Sequence, residues 1–493
     1  MKIMSYHKKI QYYKWNKKDT KILFNSIQDL INIKSLQFYM PFFSLYFYIH
    51  NKPQSNLKID LQRNFYIRKI KEIIKERYYH SNLILLGSIY DSSKNKIEEK
   101  EIFCKCIPIV DAMHCIHNNY NFIIKNNYHL PSAYNYNTFN KINNMNNTAY
   151  IDIFCSFLFG QLTYHKKNPS FPLYYGSVNG VGEYKYDITD EYHDIKNDEC
   201  FNQMINKGFT LDMYISDEES DIEDISRSSL SSYNSSKSSK SSESSESSES
   251  SKYYNNDDYI IKLKDIPIQY LFIEKLKNTL EDLIDDNISE EVLLSCIFQI
   301  SFALTYLQKY FKFTHNDLHI NNVMYSETET KYLYYKYNNI YYRIPTYGKI
   351  FKIIDFGRAI LTYGNKIFMN DVFSHYGEAG GQYTYPSQVD FMIEKEKKII
   401  EPNYNFDLCR LSMTILEELN KNNYSDEFIS FLHKMCLNHI NQSFCELKDN
   451  FKLYINIAKE ACNSLPREII MNNIFKQYRI KKNLFPRKSF YTI

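Results

Sequence analysis

Glycine is scarce in this chain, since its 493 residues include only 12 glycines. An average composition of about 7% glycine would give roughly three times as many. Loops that depend on several glycines therefore have few places to occur. The sequence also has a net charge of only +3. This near balance gives no indication of nucleic acid binding, and no nucleic acid partner is expected.

Long uninterrupted apolar runs are also missing. The most apolar early stretch, 36–49, is shorter than the roughly 20 residues that span a bilayer, and Pro41 interrupts it. We interpret this stretch as buried structure, with a peripheral membrane helix as the alternative. No transmembrane span is expected.

The ten Cys residues are scattered along the chain, and no second pair accompanies Cys104 and Cys106. A zinc site needs four ligands at workable spacing, so this distribution argues against one. Isolated Cys residues in apolar segments are typical of buried free thiols in a reducing compartment. The sequence therefore predicts a cytoplasmic protein.

A Ser- and Glu-rich stretch, 216–252, gives the clearest boundary. It cannot bury apolar surface and is predicted to be disordered. The simplest interpretation is a solvated linker. A phosphorylation segment is the sharper alternative, because Ser216 and Ser220 each have a Glu three residues downstream and phosphates would add negative charge.

The second half of the chain alternates strand-like and helix-like patterns. An apolar strand-type run covers 266–276, and 289–310 carries Leu and Ile at helical spacing after Ser289, a plausible cap. Two alternating runs around Asn338-Asn339 predict a hairpin. A short apolar strand then ends at 355, and a second helix is predicted over 405–419.

Two stretches between these elements carry polar groups suited to chemistry. "THNDLHINNVMY" (314–325) places His315, Asp317 and Asn322 in the pattern H-x-D-x-x-x-x-N, and "KIIDFG" ends a strand at Asp355. Phosphoryl transfer needs a carboxylate to orient and accept a hydroxyl proton, and hard oxygen ligands for Mg²⁺. Asp317 can fill the first role, and Asn322 and Asp355 can supply the metal ligands. D-F-G alone is a weak signal, but the combination is strong.

"HNDLHINN" and "KIIDFGRAI" resemble the protein-kinase superfamily, most closely the divergent kinase-like proteins of giant DNA viruses. The resemblance implies ATP and Mg²⁺ as cofactors, with catalytic-loop roles for His315, Asp317 and Asn322 and metal binding by Asp355. His319 stands where protein kinases usually have Lys, a departure shared by small-molecule kinases of the aminoglycoside and choline type.

The resemblance also implies an ATP-contacting Lys, for which Lys105 in "EIFCKCIPIV" is the candidate. The alternative is a Lys at a strand edge with a solvated tip. Its partner would be a Glu on the next helix, but the only acid in "AYIDIFCSFLFGQL" is Asp152. Because Asp is one methylene shorter, we expect a partly solvated ion pair that is either longer or formed by a closer approach of the helix. A surface acid unrelated to Lys105 is the alternative.

The glycine-rich loop that should cover the phosphates is the largest departure. Gly87 is the only glycine shortly before Lys105 and is the candidate for nucleotide contact. "YGSVNGVGEY" (175–184) has three glycines, but it follows Lys105, and we interpret it as a turn after a strand. A longer polar hairpin would then cover ATP.

Further parts of the resemblance are less specific. "LFIEKL" resembles the hinge, so Glu274, Lys275 and Leu276 would offer backbone groups to adenine and Ile273 would line the back wall. Asp407 matches the acid that opens a central helix and braces the catalytic loop. A plain acid at a helix N-terminus is the alternative.

The implied architecture is α+β and bilobal, with a small sheet-rich N-lobe and a larger helical C-lobe. Residues 1–80 would be an unassigned, helical-looking extension, 81–274 the N-lobe with a disordered insertion at 212–258, and 275–493 the C-lobe. The predicted function is an ATP- and Mg²⁺-dependent protein kinase acting on a protein substrate, with Ser/Thr favoured over Tyr. A pseudokinase scaffold and a small-molecule kinase are the alternatives.

Overall fold

The computed structural model describes the chain in blocks, and all structural statements refer to them. The blocks are 17–37, 65–76, 80–91, 93–120, 130–131, 140–215, 257–363, 366–375, 377–385, 400–447 and 450–493. Most of the apolar stretch 36–49 lies outside these residues, as does the Ser/Glu-rich stretch 216–252 with Ser216 and Ser220.

The described residues form an α+β fold whose sheets are antiparallel except for the pairing of the short last strand. The strands are β1 Lys34–Gln37, β2 Phe65–Glu76, β3 Leu83–Asp91, β4 Lys96–Pro108, β5 Tyr174–Asp187, β6 Phe209–Ile215, β7 Asp257–Glu274, β8 Val323–Glu327, β9 Tyr332–Tyr337, β10 Ile340–Pro345, β11 Lys349–Ile353, β12 Ile360–Tyr363, β13 Lys366–Met369, β14 Arg479–Ile480 and β15 Tyr491–Thr492. The α-helices are α1 Lys17–Ile31, α2 Ala112–Ile116, α3 Asn140–Asn143, α4 Thr148–Tyr164, α5 Tyr192–Ile195, α6 Glu199–Met204, α7 Leu280–Asp285, α8 Glu290–Phe311, α9 Phe406–Glu418, α10 Asp426–Met435, α11 Asn450–Glu460 and α12 Pro466–Ile469.

A seven-stranded antiparallel sheet organises the first half of the chain. Its strand order is β1-β5-β7-β4-β3-β2, and β6 also pairs with β7. Apolar side chains alternate along β4, where Ile102, Cys104 and Cys106 are buried, because successive residues of a strand point to opposite faces. This alternation places Lys105 on the opposite face from its two Cys neighbours.

Two large apolar clusters stabilise the molecule. One surrounds the seven-stranded sheet and runs from Leu23 on α1 to Phe272 on β7. The other surrounds α8 and includes the catalytic-loop region and α9. Helix α4 contributes to both, since Ala149 and Tyr150 belong to the first cluster and Ile151 to Leu162 supply members of the second.

Helix α8 is the core of the second cluster. By length and composition it is the one helix among the described residues that could cross a membrane. Most of its side chains are buried against other parts of the chain, which is equally typical of the core helix of a folded domain. Ser289 is its N-cap, as predicted, but the Ser289 hydroxyl makes no capping hydrogen bond.

Several sequence predictions for individual elements are confirmed. The hairpin β9–β10 turns at Asn338 and Asn339, which both have positive φ (46° and 61°), as a two-residue turn of this kind requires. Lys105 lies on a strand, Asp152 on a helix, and Asp355 just after strand β11.

Three predictions are wrong. The region 1–80 is not an added helical unit in its described part, because β2 pairs with β3 in the main sheet. Residues 212–215 and 257–258, predicted to be disordered, are the paired ends of β6 and β7. "YGSVNGVGEY" is not a turn but lies within β5, where a Cβ at Gly180 would collide with Ile33.

Candidate active site

The backbone of the catalytic loop is held by one buried carboxylate. Asp407, in the first turn of α9, is fully buried. Its carboxylate accepts hydrogen bonds from the backbone N–H groups of His315 (2.9 and 3.1 Å to the two oxygens) and Asn316 (2.9 Å). These hydrogen bonds are the bracing contacts predicted for Asp407. The alternative, an acid that only lies at a helix N-terminus, does not account for them.

His315 ties this loop to the strand that leads to Asp355. Its Nε2 lies 2.9 Å from the carbonyl oxygen of Ile354, and its ring contacts Phe356 at a centroid distance of 5.7 Å. The carbonyl of Asn322 accepts the N–H of Ile354 at 3.1 Å. The two motifs are therefore parts of one site.

Asp317 is a buried and charged carboxylate. Tyr454, on α11, donates its hydroxyl to Asp317 Oδ1 at 2.8 Å. Burial alone would raise the pKa of Asp317, but the charge of Arg358 and the hydrogen bond from Tyr454 outweigh it and hold the pKa below its usual value. Asp317 is thus ionised and able to accept a proton near neutral pH.

Asn322 is oriented by its neighbours in the loop. Its Nδ2 donates to the carbonyl oxygen of Asp317 at 2.8 Å and lies 3.0 Å from Nε2 of His319. Burial lowers the pKa of His319, so its ring is neutral near pH 7 and Nε2 can accept this hydrogen bond. Both protons of the amide are then used within the loop, which leaves Oδ1 as the group that Asn322 can offer to a ligand.

Lys105 connects the sheet to the motif residue Asp355. Its Nζ lies 2.7 Å from Asp152 Oδ2 and 2.9 Å from Asp355 Oδ1. Burial would lower the pKa of Lys105, but the two carboxylates raise it above its usual value, and the ammonium is charged. The same contacts hold the pKa of Asp355 at about 2, against the effect of burial. Lys105 is therefore not a strand-edge residue with a solvated tip.

The Lys105–Asp152 pair is not long, and its 2.7 Å contact fits the alternative of a closer helix. The Asp152 side chain is only 3% exposed, and its Oδ1 also accepts the backbone N–H of Phe356 at 3.1 Å. Since α4 lies close to β4 here, the shorter side chain reaches the ammonium without a gap. Asp152 thus links Lys105 to the D-F-G backbone.

A cleft joins these residues. Its wall includes the predicted residues Lys105, Asp152, Ile273, Glu274, Lys275, Leu276, Asn322 and Asp355. Ile273 and Leu276 are almost fully buried and give this side of the cleft an apolar surface. A flat apolar group such as an aromatic base fits such a wall.

The predicted hinge residues use several polar groups within the protein. The Glu274 N–H donates to the carbonyl oxygen of Leu173 at 2.9 Å, so this N–H is not offered to a ligand. The Glu274 carboxylate contacts Lys352 at 2.8 Å, and Lys275 pairs with Glu101 at 2.7 Å. Lys352, placed between the apolar residues Phe351 and Ile353 of β11, was the available signal for this buried ion pair.

Gly87 does not lie in the cleft. It is in the middle of β3, where a Cβ would lie 2.5 Å from Ile102 Cδ1 and 3.2 Å from the carbonyl oxygen of Lys69. Its role is to allow close packing in the sheet. His80 and Asn82, just before β3, line the cleft instead.

Sequence reasoning did not identify Asn82 as a residue of the cleft. Asn82 accepts the N–H of Cys106, next to Lys105, at 2.9 Å. Tyr454 was also missed, because it is 137 residues from Asp317 in the chain.

Comparisons with known proteins support the resemblance. No family model matches the chain. A mimivirus protein (Acanthamoeba polyphaga mimivirus) named "Putative serine/threonine-protein kinase" is 28% identical over 204 residues, which cover 38% of this chain and 47% of the relative. The chain is related to the kinase-like proteins of giant viruses. The matched region is about half the length of that relative.

The kinase-like site combines groups that suit phosphoryl transfer. One ammonium group, one carboxylate able to accept a proton and two oxygen ligands of the type preferred by Mg²⁺ lie in or beside one cleft. Apart from Gly87, each residue predicted for the site lies in this cleft or in the loop that borders it.

Proposed function

We propose that the chain is an ATP- and Mg²⁺-dependent protein kinase that transfers the γ-phosphoryl group of ATP to a Ser or Thr hydroxyl. The two apolar clusters would be the two lobes of a bilobal kinase-like fold, with the cleft between them. The observation that carries the proposal is the contact of Lys105 Nζ with both Asp152 (2.7 Å) and Asp355 (2.9 Å). It joins the sheet to the D-F-G motif beside the catalytic loop.

The donor set fits a magnesium nucleotide. Asn322 Oδ1 and the Asp355 carboxylate are hard oxygen ligands, and the Asp355 side chain is 39% exposed. When bound, Mg²⁺ neutralises charge on the phosphates. Lys105 would bind phosphate oxygens with its charged ammonium, while Asp152 holds that ammonium in position and Ile273 and Leu276 line the base pocket.

Asp317 would orient the acceptor hydroxyl and accept its proton. Its depressed pKa keeps it ionised, and Tyr454 restrains one carboxylate oxygen at 2.8 Å. Transfer to a hydroxyl requires a correctly placed carboxylate more than a strong base. The tertiary contacts of the loop supply that placement.

A small-molecule kinase is the second candidate, because His319 replaces the Lys of protein kinases and contacts Asn322 at 3.0 Å. A pseudokinase scaffold is less well supported, since Lys105, Asp317, Asn322 and Asp355 are all present with mutually consistent contacts.

The test is transfer from radiolabelled ATP with Mg²⁺, using mixed basic and acidic proteins in one arm and aminoglycosides and choline in the other. Labelled phosphoserine or phosphothreonine supports the proposal, provided that Asp317→Asn protein prepared in parallel gives none. Label on the small molecules alone would support the second candidate. ATP binding without transfer in any arm would indicate a pseudokinase.

A further inference from the structure

The near-zero net charge of the chain hides a strong local asymmetry. Two segments, the hairpin segment 331–349 and the tail segment 476–493, together contain ten Lys and Arg residues and no Asp or Glu. The whole chain has 60 basic and 57 acidic residues, so the remainder is net acidic. The two segments lie more than 120 residues apart in sequence, and only the fold shows that they meet.

One four-stranded sheet brings these segments together. Its strand order is β14-β10-β9-β15, in which the hairpin segment supplies the two central strands and the tail segment supplies both edges. The inner face packs on α8, since Tyr335 and Tyr342 are fully buried beside Phe298 at centroid distances of 5.4 and 4.9 Å. The charged side chains lie on the opposite, outer face of this sheet.

The outer face interleaves cations with aromatic rings. Tyr332 is 40% exposed, and the Arg343 guanidinium lies 4.8 Å from its ring centroid. Lys336 lies 5.7 Å from the ring of Tyr341. Phe485 of the tail packs on Tyr341 at 4.8 Å, which extends the aromatic surface towards the tail.

The tail places further charge beside these rings. Its exposed cations are Lys481, Lys482, Arg487 and Lys488. We propose that this basic aromatic face, formed by the outer side of β9 and β10 and residues 481–490, binds single-stranded nucleic acid. Cations would contact phosphates, and the exposed ring of Tyr332 with the partly exposed rings of Tyr341 and Phe485 would stack on bases, the combination that single-strand binding requires. This inference does not depend on the proposed kinase activity.

Two other anionic partners fit the face less well. An acidic polypeptide would pair with the cations but has no flat groups for the exposed rings. A membrane surface is bound by several protruding aliphatic side chains, whereas Leu484 is the only strongly exposed aliphatic residue in the described parts of these segments. Bases on a phosphate backbone use both the charge and the rings.

The test is fluorescence anisotropy of the full chain with labelled single-stranded RNA and DNA of about 16 nucleotides. A tail variant, Lys481→Gln/Lys482→Gln/Arg487→Gln/Lys488→Gln, is expected to weaken binding about tenfold or more. The slope of log affinity against log salt should become shallower by about 0.7 for each phosphate that the variant no longer binds. The matched control changes four exposed lysines elsewhere (Lys69, Lys207, Lys421 and Lys434 to Gln) and should bind as the parent does.

A second pair of variants separates the contribution of the aromatic ring to binding from that of the charge. Tyr332→Ala should weaken binding about fivefold or more, because it removes the stacking ring, whereas Tyr332→Phe should keep it; equal melting temperatures would show that both remain folded. The proposal is overturned by absent binding, an equal weakening in the control variant, or an unchanged affinity of Tyr332→Ala. Equally tight binding of polyglutamate or of phosphatidylserine vesicles would overturn it in favour of a general polyanion or membrane surface.

Discussion

The two sides of the cleft are held in different ways. On the catalytic-loop side, backbone groups are fixed by buried contacts, above all by Asp407, which accepts the N–H groups of His315 and Asn316. On the sheet side, Lys105 is held by the charges of two carboxylates, and Asn82, just before β3, lies at the cleft instead of a glycine-rich loop. The loop side has every residue of the predicted pattern, whereas on the sheet side Asp152 stands where a Glu was expected and Gly87 does not line the cleft.

This difference has a physical cause. Asp317 and Asn322 need particular side-chain atoms at fixed positions, because a carboxylate and an oxygen ligand have few substitutes. A Lys can be positioned by any acid that reaches it, and the close approach of α4 lets the shorter Asp152 do so at 2.7 Å. More than one kind of acidic residue can therefore form such an ion pair, whereas a group that takes part in the chemistry has few substitutes.

The largest expected effect tests the loop side. Asp317→Asn removes the proton acceptor but keeps the shape and the hydrogen bond from Tyr454. We expect the transfer rate to fall by about 100-fold or more, with little change in the melting temperature. Steady-state kinetics at saturating ATP and thermal unfolding provide the two measurements. A rate close to that of the parent would remove Asp317 from the mechanism.

The second prediction tests the sheet side. Lys105→Ala should lower the rate by about 100-fold, and Asp152→Asn by about tenfold, because it removes the charge but can still accept the Phe356 N–H. Asp152→Glu should lower activity as well, since the pair is already 2.7 Å apart and another methylene must be fitted into a buried site.

A double-mutant cycle decides whether the two residues act together. If the effects of Lys105→Ala and Asp152→Asn on the rate multiply, the residues are uncoupled. The cycle is then evidence that Asp152 acts only on the backbone at Phe356. A combined effect smaller than the product supports the ion pair as the functional unit.

Local patterns made the loop side predictable from sequence. His315, Asp317 and Asn322 lie within eight residues, and the strand before Asp355 is a short apolar run. The sheet side could be predicted only in part, because the reach of Asp152 depends on how closely α4 packs on β4. Tyr454 and Asn82 gave no local signal, since tertiary packing alone brings them to the site.

Glycine gave misleading signals for the same reason. Gly87 and the glycines of 175–184 were interpreted as loop or turn residues. All of these glycines lie inside strands, where the absence of a side chain lets a neighbouring segment of the same protein approach closely. A sequence shows that a glycine is present, but not whether it serves a loop or turn conformation or close packing inside a strand.

The third prediction tests that use of Gly87. Gly87→Ala should destabilise the fold by about 1–3 kcal/mol, because the new methyl group overpacks against Ile102. The KM for ATP should not change. Urea unfolding measures the first effect, and Gly87→Ala/Ile102→Val should recover part of the stability. A raised KM with parental stability would restore the predicted nucleotide contact.

The smallest effect concerns the restraint on Asp317. Its folded-state pKa is depressed although burial acts in the opposite direction, and one cause is the Tyr454 hydroxyl. Tyr454→Phe keeps the ring but removes that donor, so the pKa of Asp317 should rise. The ionised form of Asp317 is the active one, so activity is lost as the pH falls through the pKa of Asp317. In Tyr454→Phe this loss should therefore begin at a higher pH than in the parent. The acid limb of the pH–rate profile should therefore move to higher pH. A few-fold rate loss at pH 7, where Asp317 stays ionised, would have another cause, namely that Oδ1 loses the donor that restrains it. Tyr363→Phe is a matched control, because that Tyr is buried elsewhere. An acid limb at the same pH in both variants would show that Tyr454 does not tune Asp317.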